Sequence, residues 1–285
     1  MKVGKAPALL LLPGLVLFSA LLVLPLANTV LVSFRQYTPG EIGASDSAPL
    51  TLANYIELLH PAYYFYFFQT YWISFLATII SLTVGFPIAY VIARLPSGWA
   101  RKLLVSFLVM VMFLGGLVRV YSVALTFGPV GFLVPLAHLI HVNPNSGIMI
   151  EIVTIIGLLH YSIPLSALVL IGTIQNINPR LAEAAETLGA PRWKAHLSVT
   201  VPLAKKGLME TFLLGYTLCI SAFVTPMILG QGRLSFVSNL VYNRFSEVAD
   251  YPSGAAIAVV MVVVSIGIVV VLTSIGNRDQ QDDTR

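Results

Sequence analysis

Few residues in this chain have the chemistry to act as catalysts or metal ligands. His138 and His141 are three apart, a spacing that puts both imidazoles on one helix face and could begin a metal site. No third ligand stands near them, so a pair of interfacial histidines is the expectation and no metal is assigned. Cys219 is the single cysteine and lies inside an apolar run, where it packs as a small hydrophobe. There is no Gly-x-x-x-x-Gly-Lys-Ser/Thr loop to cradle a nucleotide phosphate, no His-Glu-x-x-His and no Gly-x-Ser-x-Gly. No catalytic constellation emerges.

Ionisable residues at membrane depth carry more information, because a charge in hydrocarbon is costly and needs a reason. Arg119 lies 17 residues beyond Lys102, or roughly 25 Å along a helix. Glu151 opens a later apolar run at a similar depth. The two either form an ion pair across spans or reach interfacial water separately. Glu210 follows Lys206 by four residues, a spacing that suits a local pair.

The longest polar interruption between two very apolar segments is residues 178–202, NPRLAEAAETLGAPRWKAHLSVTVP. Its chemistry predicts a helix, a break and a second helix. Asn178 is an expected N-cap, with Pro179 at the first helical position, where its missing N–H costs nothing. Leu181 to Leu188 is rich in Ala and Glu, and Glu183 and Glu186 lie towards the positive end of the helix dipole. Gly189 suits a left-handed cap, and Pro191 can start the next helix. Ala184, Ala185 and Gly189 leave a face almost without side chains. That face can admit another protein's backbone.

Glu183-Ala184-Ala185, then Gly189, then Val199-x-Val201-Pro202 resembles the EAA loop of permease subunits of bacterial binding-protein-dependent ABC importers. The family pattern ends in Ile-x-Leu-Pro, so Val199 and Val201 are conservative departures. The resemblance extends over roughly residues 65 to 275. It implies an all-α, type I importer fold with six transmembrane helices. It also implies that Glu183, Ala184, Ala185, Glu186, Gly189, Ala190, Pro191 and Arg192 seat in a cleft on an ATP-hydrolysing subunit. The implied partners are a second, homologous but non-identical permease, two nucleotide-binding subunits and a periplasmic solute-binding protein. ATP and magnesium would then sit on the ATPase subunits, with no cofactor in this chain.

Composition agrees with a membrane location. The chain is 57% hydrophobic and 10% charged, with a mean hydropathy of +0.88, whereas soluble domains carry about 25% charged residues. The net charge of +4 does not point to nucleic acid, because the basic residues sit at the ends of apolar runs. Lys2 and Lys5 precede a run too long for a secretory leader, so a retained first span is expected over about 9–33. Further spans are expected over about 70–93, 103–125, 149–174, 207–229 and 254–275, with a short interfacial or re-entrant helix within 126–147. This division gives a first helix and outer loop over 1–65, the permease domain over 66–276 and a tail over 277–285.

Basic residues orient the bundle. Lys2, Lys5, Arg94, Arg101, Lys102, Arg180, Arg192, Lys194, Lys205, Lys206, Arg278 and Arg285 fall on one side, against Arg35, Arg119, Arg233 and Arg244 on the other. By the positive-inside rule both termini are expected in the cytoplasm, and the resemblance implies a bacterial inner membrane.

A solute path is expected among polar and helix-bending residues of the middle spans. The candidates are Tyr121, Tyr161, Pro164, Ser221, Thr225 and Pro226. The segments Val118-Arg119-Val120-Tyr121, Ser221 to Pro226 and Asp250-Tyr251-Pro252 resemble spermidine/putrescine-type permeases. Spans three, five and six carry no acid at mid-depth to offer a polycation, so a related small organic solute fits equally. An ion-gradient-driven transporter and a non-transporting scaffold are the alternatives, and co-purification with an ATPase separates them.

Overall fold

In hydrocarbon every backbone N–H and C=O must find its partner within the protein, which leaves helices as the economical solution for apolar runs. The computed structural model describes residues 5–40, 43, 48–129, 131–135 and 143–282. His138 and His141, the middle of the expected 126–147 helix, Lys2 and Arg285 lie outside them. The chain forms α1 (Lys5–Ser33), α2 (Ala53–Glu57), α3 (Pro61–Arg94), α4 (Gly98–Phe113), α5 (Gly116–Phe127) and α6 (Gly147–Gln175). There follow α7 (Arg180–Thr187), α8 (Arg192–Ala195), a π-turn (His196–Thr200) and α9 (Val201–Leu203). The last elements are α10 (Lys205–Ile220), α11 (Val224–Leu229), α12 (Val237–Tyr242) and α13 (Tyr251–Asp282). No strand occurs among the described residues; Arg35 and Leu50 form an isolated antiparallel bridge.

Among the described residues, four stretches are long and apolar enough to cross a membrane: Leu12–Ser33, Pro61–Arg94, Gly147–Gln175 and Tyr251–Ser274. Two expected spans are not continuous. The third, predicted over 103–125, is broken between α4 and α5 by a bend of 92°. The adjacent Gly115 and Gly116 supply the weak point, since neither favours a helix interior. The fifth, predicted over 207–229, stops at Ile220 and resumes as α11. Pro226 explains the restart, because it can occupy the first turn of a helix but cannot sit inside a continuous one.

The chain divides into two compact units, Met1–Phe65 with Leu240–Val264 and Tyr66–Asn239 with Ser265–Arg285. In the first, buried Asn54 donates to the carbonyls of Ser33 and Arg35, both at 2.9 Å, which ties the end of α1 to α2. Arg244 donates to Glu57 at 2.8 Å and to the Tyr63 hydroxyl at 2.7 Å. Asp250 accepts the Ser253 N–H at 3.0 Å and so caps α13.

The second unit is built on α3, α6 and α10. Thr70, Ser74, Thr78 and Ser81 form a fully buried hydroxyl stripe on α3. Small residues allow helices to approach closely where apolar burial gives no drive for association. The Ser81 and Ser166 hydroxyls are hydrogen bonded at 3.0 Å. Near its start α10 meets α6 just as closely: a Cβ on Gly207 would stand 2.2 Å from Thr173 Oγ1.

Three apolar clusters fill this unit. One gathers Ala89, Ile92, Leu108, Leu170 and Ile174 from α3, α4 and the second half of α6. Another holds Ile73, Ala77, Leu158, Cys219 and Phe236. The third consists of Val120, Val123, Val153 and Leu229, from α5, α11 and the first half of α6.

Candidate functional site: an exposed hairpin and a cavity at two helix breaks

The hairpin between α6 and α10 has the expected break with a small shift at its start. Asn178 Oδ1 accepts the Arg180 N–H at 3.1 Å, and α7 begins at Arg180 with Pro179 preceding it. Asn178 therefore serves the entry turn one residue earlier than a standard N-cap. At the other end Gly189 adopts φ +92°. The Ala190 N–H bonds Ala185 O at 3.1 Å and the Gly189 N–H bonds Glu186 O at 2.9 Å. This is a Schellman closure, and it needs a residue that tolerates the left-handed region.

The surface of the hairpin is bare where the small residues sit. Glu183, Ala184, Gly189, Pro191 and Arg192 are exposed, and Ala185, Glu186 and Ala190 are half-buried. A Cβ on Gly189 would meet nothing within 4 Å. Arg192 Nε lies 3.6 Å from Glu186 Oε2, but with the arginine almost wholly exposed such a pair adds little. The sequence reading missed two residues. Leu188 is 90% exposed and Trp193 66% exposed, the most exposed of the hairpin's large apolar side chains and both near its tip. The signal was available: each flanks the Gly-Ala-Pro break, where no core can cover it.

The base of the hairpin is anchored to α3. Arg94 donates to Ile177 O at 2.7 Å. The rings of Tyr90 and His196 meet edge to face with centroids 4.5 Å apart. The hairpin is thus tied to α3 as well as joined to α6 and α10.

The second feature lies where both discontinuous spans break. Gly116, Arg119, Val120, Gly157, Leu158, Tyr161, Leu218, Cys219, Ala222, Val224 and Thr225 enclose a cavity of about 130 Å³. Of the predicted path residues, the structure brings Tyr161 and Thr225 together here. It does not bring in the other four. Tyr121 and Ser221 are exposed, with Ser221 bonding Leu218 O at 3.1 Å, while Pro164 and Pro226 are buried in helix packing.

Backbone groups freed by the breaks are taken up by side chains. Arg119 donates to Met112 O at 3.1 Å and to Leu114 O at 2.7 Å. Its guanidinium carbon lies 4.8 Å from the centre of the Tyr161 ring. At the other break Ser238 donates to Ala222 O at 2.7 Å and Asn239 to Phe223 O at 2.9 Å. Glu151 is exposed and, among the described residues, no ion pair joins it to Arg119. The guanidinium has carbonyl partners close by on its own broken helix, which a depth argument alone cannot see.

Several membrane-length helices, two broken ones beside a cavity and an exposed hairpin are the features of a multi-pass membrane protein. The comparisons give its class. Residues 85–278 match the family model of binding-protein-dependent transport system inner membrane components, and the chain belongs to that family. It is 27% identical over 248 residues to the spermidine/putrescine transport system permease protein PotB of Haemophilus influenzae, covering 86% of each chain. PotB of Escherichia coli K12 is 26% identical over 216 residues, 75% of this chain and 78% of that one. The inner membrane ABC transporter permease protein YdcU of the same organism is 24% identical over 240 residues, 80% and 76%. A solved bacterial ABC transporter involved in import of the acidic polysaccharide alginate has the same fold, with a TM-score of 0.77 at 17% identity over 96% of both chains. The chain is thus a multi-pass inner-membrane permease subunit of the ABC-importer type.

Proposed function

We propose that this chain forms half of the solute path of an importer, paired with a second, similar but non-identical permease. Two ATP-hydrolysing subunits bind on the cytoplasmic side and a periplasmic binding protein delivers solute from the other. ATP and magnesium act on the ATPase subunits. Both termini face the cytoplasm, a reading the distribution of basic residues supports. The relatives named for spermidine and putrescine make a polyamine or related small organic solute the first class to test.

The observation that carries this reading is the hairpin of residues 178–202. It is locally self-sufficient, closed by its own Schellman bonds, and rooted on α3 through Arg94 and Tyr90. Its bare Ala184 and Gly189 face lets a partner's backbone approach, while exposed Leu188 and Trp193 supply apolar anchors. Interface energy concentrates in such buried aromatic anchors. ATP-driven movement of the partner's cleft shifts the hairpin, and the helices follow as levers.

Gly189→Arg tests it in vesicles holding the complete importer. The altered chain is expected to remain in the membrane and ATP hydrolysis to continue, while uptake falls at least tenfold. Uptake at the unaltered rate refutes the proposal.

A further inference from the structure

We propose that Arg119 is the latch of a gate, in which α5 and α11 move as one body to open and close the cavity of Tyr161, Thr225 and Cys219. Four observations point this way. First, the cavity as it stands is small, at about 130 Å³. Small-molecule pockets occupy about 300–1,000 Å³. Passage through this point therefore needs a change of shape.

Second, α5 and α11 pack on each other and on the first half of α6. Val120, Val123 and Leu229 share one apolar cluster with Val153 of α6, separate from the clusters that hold α3, α4 and the second half of α6. The absence of a side chain on Gly157 admits both Leu229 and Thr225. A Cβ there would lie 2.5 Å from Leu229 Cδ1 and 2.8 Å from Thr225 Cγ2. Each element joins its neighbouring long helix through a break, α5 at Leu114–Gly115 and α11 at Ser221–Phe223, so neither is rigidly continuous with α4 or α10.

Third, one side chain fixes the bend. The turn after α4 leaves Met112 O and Leu114 O without helical partners, and a single nitrogen of the Arg119 guanidinium serves both. The same group lies over the Tyr161 ring of α6. A charged donor on two carbonyls in an apolar setting makes a strong hold, and its planar form suits the stack on tyrosine.

Fourth, the hold is incomplete. Arg119 Nε is buried and has no hydrogen-bond partner among the described residues. A buried donor left open disfavours the state that buries it, so the closed corner is held without being locked.

The gating role rests on the transport reading above, but the latch can be read without transport. Cys219 lines the cavity, is buried, and is the only cysteine of the chain. Its rate of modification by a small charged methanethiosulfonate is measured in membranes holding the full chain. Arg119→Met is expected to raise that rate at least tenfold. Arg119→Lys, which keeps a donor but loses the planar fork, is expected to raise it about threefold. A control reporter, Ser166→Cys in a Cys219→Ser background, sits fully buried between α3 and α6 and is expected to stay protected.

Unchanged labelling of Cys219 in Arg119→Met overturns the latch. Equal exposure of the Ser166→Cys reporter also overturns it, since Arg119 would then support the whole bundle. Faster Cys219 labelling with a protected control supports the latch even if no ATP-driven uptake is found. In that event only the transport reading falls.

Discussion

Two kinds of helix break occur in this chain, and they are stabilised in opposite ways. The break at Gly189 stands in an exposed hairpin, and three residues in a row, Gly189, Ala190 and Pro191, supply all it needs. One takes the left-handed turn, the next closes the backbone bonds and the third starts the following helix. The breaks after Phe113 and Ile220 lie among apolar segments. Their carbonyls depend on side chains brought from further along, Arg119 in one case and Ser238 with Asn239 in the other. Where water can reach, a break can be written locally, because any carbonyl left over is hydrated. Where water is scarce, a remote donor must be placed to meet it.

That contrast can be broken by experiment. The largest effect is expected from Asn239→Leu. The side chain accepts the Phe236 N–H at 3.0 Å and donates to Phe223 O, which also takes the Met227 N–H at 3.2 Å, so a leucine of similar size strands the Phe236 N–H and removes a second hydrogen bond. At about 1–3 kcal/mol for the unsatisfied group and about 1 kcal/mol for the other bond, a loss of roughly 2–4 kcal/mol is expected in thermal unfolding of the protein in nanodiscs. A loss below about 1 kcal/mol would show that water reaches this break after all.

Gly189→Ala comes next, at about 1–2 kcal/mol for placing a Cβ in the left-handed region. No steric clash adds to it, since the position is open. The same unfolding measurement applies, with uptake as a second readout. If the cost exceeds that of Asn239→Leu, the ordering of the two kinds of break is wrong.

The smallest effect is expected from Ser81→Ala. It removes the Ser81–Ser166 hydrogen bond within a continuous helix pair, where such bonds average about 0.6 kcal/mol. A large loss there would shift the weight from the breaks to the hydroxyl stripe of α3.

The same contrast decides what could be read from the sequence. The hairpin was legible almost residue by residue, because Asn178, Pro179, Gly189 and Pro191 act through local backbone preferences. Only the start moved, with Asn178 bonding the Arg180 N–H. The long spans of α1, α3, α6 and α13 were legible from apolar length alone. The bend at Leu114–Gly115 was not, since hydropathy averages over a window and is blind to direction. Gly115-Gly116 was the cue, and Arg119 four residues on was its partner. Read for depth alone, Arg119 was left between a pair with Glu151 and interfacial water. Tyr161 and Thr225 were found as polar residues in middle spans, but nothing local says they share a cavity. That depends on Gly157 admitting α11.

The π-turn at His196–Thr200 bears on the stretch that joins the hairpin to α10. A π-turn carries one residue more than the α-ladder would use in the same length. Were that surplus residue to slide along the segment, the stretch it passed would turn by about 100°, the angle of one residue in an α-helix, while what lies beyond stayed in register. Built in between Ala195 and α9, the spare residue lets a twist be taken up within the joint itself.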